Sequence, residues 1–230
     1  MRGLEGEEWL SLATPAQRDR LRALGVVSWL DLVYQPGGRL KEVEGGLALR
    51  QRASQLMGGP MTGPELLARG QERHLIPTGL EGLDRYLGGG LRGGLLIDLY
   101  GPAGSGKTQL CLQWSINALA HGGRVAWIDP LGVFRPERLV ELATAHGLGG
   151  KEVLGRVLVS SPGSVMGQLE AARQAWRLEG LTLLVVDPLT DSFLYEYGHG
   201  EEVVERESLL TRHLHDLALL ALERGVAVVV

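Results

Sequence analysis

Eight consecutive residues constrain this chain more than any others: Gly101-Pro102-Ala103-Gly104-Ser105-Gly106-Lys107-Thr108. They satisfy the pattern G-x-x-x-x-G-K-T. On one side lies a short apolar run at residues 95–100. On the other, residues 108–120 carry Leu112, Ile116 and Leu119 at helical spacing. Strand, glycine turn and helix in that order make a phosphate cradle. Successive backbone amides can point at an anion, and the helix offers its positive N-terminal end. Gly101, Gly104 and Gly106 permit close approach, with Pro102, Ala103 and Ser105 completing the loop. Lys107 can reach the outer phosphates, and the Thr108 hydroxyl can face Mg²⁺. The competing reading, a merely flexible glycine turn, does not explain the lysine and threonine. The expected ligand is therefore ATP with Mg²⁺.

A second signal completes the first. Leu183-Leu184-Val185-Val186 reads as a buried central strand, and it delivers Asp187 at its end. Alone, Asp187 reads equally well as a capping residue. Beside the glycine loop it becomes the acidic partner of Thr108 for Mg²⁺. Hydrolysis also needs an oriented water, usually held by a carboxylate. Asp129, at the end of the strand candidate 124–129, is available for that role. A strand-end hydrogen-bonding residue is the alternative reading of the same side chain. Glu137, in Arg135-Pro136-Glu137-Arg138, fits a helix start better. The histidines form no zinc pattern, and one cysteine, Cys111, excludes a disulfide framework.

The chain divides into two compositional regions. Residues 1–58 read as short helices punctuated by Gly25, Pro36-Gly37-Gly38, Gly45-Gly46 and Gly58-Gly59. Residues 59–74 read as a linker in which Pro64-Glu65 opens a short helix. From residue 75, apolar strands alternate with helices: 124–129, 137–146, 156–160, 167–178, 181–187, 201–224 and 226–230. That alternation predicts an α/β domain with a mainly parallel sheet flanked by helices. Residues 1–74 hold ten basic and nine acidic side chains, and residues 75–230 hold thirteen and eighteen. Neither region is a polycation for nucleic acid. No apolar run approaches the roughly 20 residues that span a bilayer. The N-terminus lacks a secretory apolar segment, so the expectation is a soluble intracellular protein.

Further stretches resemble the recombinase family that contains bacterial RecA and archaeal RadA, closest to the RadA side and its eukaryotic counterparts. Residues 78–91, Thr-Gly-Leu-Glu-Gly-Leu-Asp-Arg-Tyr-Leu-Gly-Gly-Gly-Leu, resemble that family's entry to its core. So do Gly106-Lys107-Thr108-Gln109-Leu110-Cys111, Phe134-Arg135-Pro136-Glu137-Arg138-Leu139, Arg212-His213-Leu214 and Val226-Ala227-Val228-Val229-Val230. Residues 18–57 resemble the small helical N-terminal domain of RadA-type proteins. The resemblance implies a RecA-like P-loop NTPase core over residues 75–230, behind a small helical domain.

Departures from the family pattern carry their own implications. The family places Glu, which prepares the hydrolytic water, at the third position of the segment written here Asp129-Pro130-Leu131-Gly132. Leu131 cannot polarise water, which implies weak or absent hydrolysis with Asp129 as the reserve carboxylate. Family filament formers carry Phe and Ala three residues apart in the linker, where this chain has Pro60-Met61-Thr62-Gly63. Alternatively the docking segment lies near Leu66-Leu67-Ala68. The first DNA loop of the family matches residues 195–207. A glycine-flanked Arg is common there, whereas this chain has Gly198-His199-Gly200 followed by Glu201 and Glu202. DNA contact would fall to His199, Arg206 and Arg212, although the two arginines read equally well as ion-paired surface residues. Tyr195 and Tyr197 could stack on bases. The hairpin at residues 40–47 could approach a DNA backbone, although partner docking is the blander reading. The family's second DNA loop would lie beyond Val230, so the core is expected to be C-terminally shortened.

The leading expectation is an ATP-binding RadA-like recombinase paralogue that modulates homologous recombination and DNA repair. It would act with a recombinase or recombinase-paralogue partner and possible single-stranded DNA. Its place would be the cytoplasm or nucleoid, or the nucleus in a eukaryote. An active DNA-dependent strand-exchange ATPase is the first alternative. A P-loop adaptor or signalling protein without DNA binding is the second.

Overall fold

The computed structural model describes residues 13–26, 32–33, 35, 37–57, 62–198, 200 and 202–230. The chain separates into two compact units, Met1–Ala68 and Arg69–Val230.

In the first unit, helix α1 (Pro15–Ala23) starts where Thr14 and Gln17 cap each other. The Thr14 amide donates to Gln17 Oε1 at 2.8 Å, and the Gln17 amide donates to Thr14 Oγ1 at 3.3 Å. Pro15, at the first helical position, loses no hydrogen bond there. Two more helices follow, α2 (Gly37–Leu40) and α3 (Gly46–Met57). The doubled glycine between them has two separate jobs. Gly45 takes a left-handed backbone with φ of 72°. Gly46 lies so close to the Leu40 carbonyl that a Cβ there would collide with it. Leu21, Val26, Leu32, Leu40, Val43, Leu49 and Ala53 form this unit's apolar core. Helix α4 (Gly63–Gln71) follows, with the Thr62 amide donating to Glu65 Oε2 at 2.7 Å. It forms where Pro64-Glu65 marks a helix opening in the sequence.

The second unit contains a parallel sheet of five strands: β3 (Leu96–Ile97), β4 (Arg124–Ile128), β5 (Val157–Ser160), β6 (Leu181–Val186) and β7 (Ala227–Val229). Their order across the sheet is β3-β7-β6-β4-β5. A separate antiparallel pair, β1 (Leu75–Ile76) and β2 (Leu91–Arg92), brackets helix α5 (Glu81–Leu87). Strand alternation divides the core into two faces. Val125, Trp127, Leu183, Val185, Ala227 and Val229 pack with helix α6 (Lys107–Ala120), helix α7 (Pro136–Ala145) and helix α8 (Gly150–Leu154). Ala126, Ile128, Leu184, Val186 and Val228 pack with helix α9 (Val165–Ala175) and helix α11 (Glu202–Arg224). Short helix α10 (Asp191–Glu196) lies between β6 and α11. The central strands β6 and β7 are apolar on both faces because helices cover both, as an all-parallel sheet requires.

The apolar run at 95–100 yields only a two-residue strand. Its ladder nonetheless continues beyond it, with the Leu99 amide donating to the Val230 carbonyl at 2.9 Å. Helices α5, α8 and α10 and the β1–β2 pair carry no long hydrophobic period, so periodicity does not announce them. No described helix is long and apolar enough to cross a membrane.

Candidate functional site

The glycine loop leaves β3 and enters α6 at Lys107. Gly106 is the N-cap with φ of 93°, and no side chain caps the helix. The first-turn amides therefore have no side-chain competitor for an anion. Gly104 also has positive φ, at 78°. A Cβ on either glycine would stand in open space, so backbone conformation, not crowding, demands glycine there. Lys107 Nζ donates to the carbonyls of Gly101 at 2.8 Å and Pro102 at 3.1 Å. The ammonium thus lies against the loop that its sequence position suggests it serves.

Thr108 and Asp187, 79 residues apart, meet directly. The Thr108 hydroxyl donates to Asp187 Oδ2 at 2.6 Å. One turn along α6, Cys111 is buried, and its thiol is pushed up to about 12 by burial and then by the Asp187 charge. This thiol is protonated and inert at neutral pH. The donor set suits Mg²⁺, which typically takes one or two protein oxygens and completes its shell with phosphate and water. Among the described residues, no three His, Cys, Asp or Glu side chains gather to hold a metal by themselves. Residues 101–108 with Asp187 therefore fit a nucleotide carrying its own Mg²⁺.

Asp129 is differently employed. It follows β4, is 2% exposed, and its two carboxylate oxygens accept the amides of Val133 at 3.0 Å and Phe134 at 2.8 Å. Arg135 Nη1 donates to the carbonyls of Gly132 and Phe134, both at 3.1 Å. Phe134 in turn packs on Trp127 with ring centroids 5.0 Å apart. The loop is thereby closed on itself, with Leu131 55% exposed at its tip. A carboxylate holding two amides has the geometry of a loop anchor, the strand-end alternative weighed from the sequence.

The other candidate residues are scattered. Arg206 turns its guanidinium to Glu207 at 3.1 Å, and its side chain is only 19% exposed. Arg212 is half-buried on α11, and Tyr195 is almost fully exposed. Burial and the charges of Glu205, Glu196 and Glu202 raise the Tyr197 phenol above its ordinary value. His199, Glu201, Pro60 and Met61 lie outside the described residues. In the linker, Gly63 opens α4, on which Leu66 and Leu67 are exposed.

Sequence reasoning overlooked a buried polar pair behind the site. Gln168 on α9 and His213 on α11 are both fully buried. Burial lowers the His213 imidazole to about 4. A glutamine inside a helical apolar pattern was the available signal; His213 stood out only through family resemblance.

Residues 69–230 match the Rad51 family. The DNA repair and recombination protein RadA of Metallosphaera sedula is 36% identical over 165 residues, 67% of this chain and 51% of that protein. The DNA repair protein RAD51 of Mycosarcoma maydis is 34% identical over 200 residues, 83% of this chain and 59% of that protein. The chain thus spans between half and three-fifths of the length of these relatives.

Proposed function

This chain belongs to the RadA/RAD51 recombinase family, and from that premise we propose that it is an ATP-binding paralogue that modulates homologous recombination and DNA repair. The observation that carries the nucleotide reading is the 2.6 Å contact between Thr108 and Asp187, at the start of the helix that the glycine loop feeds. On this reading, backbone amides of residues 101–108 hold the phosphates. Lys107 exchanges its loop carbonyls for phosphate oxygens, and Thr108 and Asp187 orient Mg²⁺. The metal neutralises phosphate charge when bound.

Hydrolysis is slow on the same reading. Leu131 occupies the tip of the loop after β4 and has no group that can take a proton from water. Asp129 is occupied with the Val133 and Phe134 amides. DNA affinity is modest, because Arg206 is directed to Glu207 and its surroundings are acidic. His199 and Arg212 are the remaining candidate contacts. Work on DNA then depends on a recombinase or paralogue partner, in the compartment that holds the DNA.

Calorimetry of ATP with Mg²⁺ tests the site. Lys107→Ala should weaken binding roughly a hundredfold, since the amide cradle alone neutralises the phosphates poorly. Equal affinity in the two proteins would remove the site from this loop. Phosphate release across a single-stranded DNA titration tests the second part. Slow turnover at every DNA concentration is expected. Strong DNA-stimulated release abolished by Asp129→Ala would restore the active-ATPase reading.

A further inference from the structure

Asp187 and the turn that follows it are contacted from opposite faces of the sheet. Thr108 touches its carboxylate from the α6 face. From the opposite face, where α9 and α11 pack, one buried polar side chain grips the segment that follows it and a second backs the first. Gln168 Nε2 donates to the Leu189 carbonyl at 2.9 Å, two residues beyond Asp187. The same nitrogen lies 3.3 Å from His213 Nε2. The Leu189 bond decides how the amide is oriented, because a flipped amide would set oxygen against oxygen. The second amide hydrogen therefore points at His213 Nε2, which must accept it and carry no proton. The neutral ring has its hydrogen on Nδ1 and stacks on Phe193, with centroids 5.9 Å apart and planes at 28°.

We propose that Gln168 and His213 are positioning residues that hold the turn between β6 and α10, and so determine where the Asp187 carboxylate stands toward Mg²⁺. Gln168 grips the turn at Leu189, and His213 braces its far end through Phe193. Apolar packing alone does not explain the pair. Gln168 Oε1 and His213 Nδ1 make no hydrogen bond within the described protein, a penalty that leucine or methionine would avoid. The return on that penalty is direction: a hydrogen bond fixes a carbonyl's orientation where a methyl contact would not. Groups behind a metal ligand commonly tune its affinity in this way.

This inference rests on the assignment of Asp187 to Mg²⁺, and its test separates the two. The full chain carrying Gln168→Leu or His213→Leu is titrated with Mg²⁺ in the presence of ATP and followed by calorimetry. The Mg²⁺ midpoint should rise about tenfold while metal-free ATP affinity stays within about twofold. His213→Gln, which keeps an acceptor, should recover most of the loss. Unchanged midpoints in folded variants would overturn the proposal. A nucleotide-free arm guards against failure of the ATP reading itself: the Thr108 methyl resonance should move in both leucine variants and stay near its wild-type position in His213→Gln. A stationary Thr108 signal would overturn the proposal whether or not ATP binds. If the leucine variants do not fold, nitrogen-15 NMR of wild-type histidines decides. A bare Nε2 on His213 is expected, and a protonated Nε2 refutes its acceptance of the Gln168 amide.

Discussion

Two aspartates end neighbouring strands of one sheet. Ile128 of β4 pairs with Val186 of β6, and the next residues are Asp129 and Asp187. By strand alternation both carboxylates fall on the α6 face, level with one another. Their employment is nevertheless opposite. Asp187 meets a hydroxyl from α6, 79 residues away in sequence, and stands beside the glycine loop. Asp129 turns to amides four and five residues ahead of it and is consumed by its own loop. The same residue type at the same sheet level meets a hydroxyl from a distant helix in one strand and anchors its own loop in the other. What differs is the following segment: one folds back over its aspartate, while the other is bonded at Leu189 by Gln168 on the far face.

That contrast can be broken most forcefully at Asp129. Asp129→Ala leaves two amides without their acceptor, one of them buried. The loss should be about 3–4 kcal/mol of stability, read as a lower denaturant midpoint. ATP affinity of the molecules that remain folded should change little. A stable Asp129→Ala protein with lost turnover would instead make this residue catalytic.

Acid should sharpen the contrast next, because the turn after β6 rests on a neutral imidazole. Burial depresses His213 to about 4 from 6.5. The unfolded chain therefore takes up a proton at a pH where the folded chain does not. The contribution is fully present above pH 6.5 and is lost as pH falls toward 4. Between pH 7 and pH 5 it amounts to about 2 kcal/mol. Denaturation curves at the two pH values should differ by that much more in wild type than in His213→Leu. Equal pH dependence in the two proteins would show that the imidazole is not buried as described.

A smaller effect is expected at Asp187. Asp187→Asn keeps an acceptor for Thr108 but removes the charge, so stability should hold. Mg²⁺-dependent ATP affinity should fall about tenfold, measured by calorimetry with and without chelator. The smallest effect falls on Cys111, whose thiol feels the Asp187 charge. Asp187→Asn should lower the thiol's titration modestly, followed by its carbon-13 NMR shift. A matching change in Asp129→Asn would contradict the different placement of the two carboxylates.

Much of this arrangement is readable along the chain because the interactions concerned are local. The glycine loop, Lys107 and Thr108 are contiguous, and their backbone needs are met by neighbouring residues. The α/β alternation from residue 75 follows from hydrophobic period. Short elements are less legible. Helix α10 has six residues and β1 has two, too few for a period to emerge. The Gln168–His213 pair is hidden for another reason: 45 residues separate its members, and neither has a meaning until α9 and α11 pack on the same face.

Residue order alone makes the glycine-lysine-threonine turn and the parallel sheet legible, since each depends on the identity of adjacent side chains or on their spacing. Packing decides which aspartate is available. Asp129 and Asp187 follow equally apolar strands and are chemically identical, so no local pattern separates them. The difference arises when α6 brings Thr108 to one carboxylate while the chain after β4 turns its amides onto the other. A hydrogen bond depends on where the two groups stand in space, and over 79 residues that is determined by the folded core.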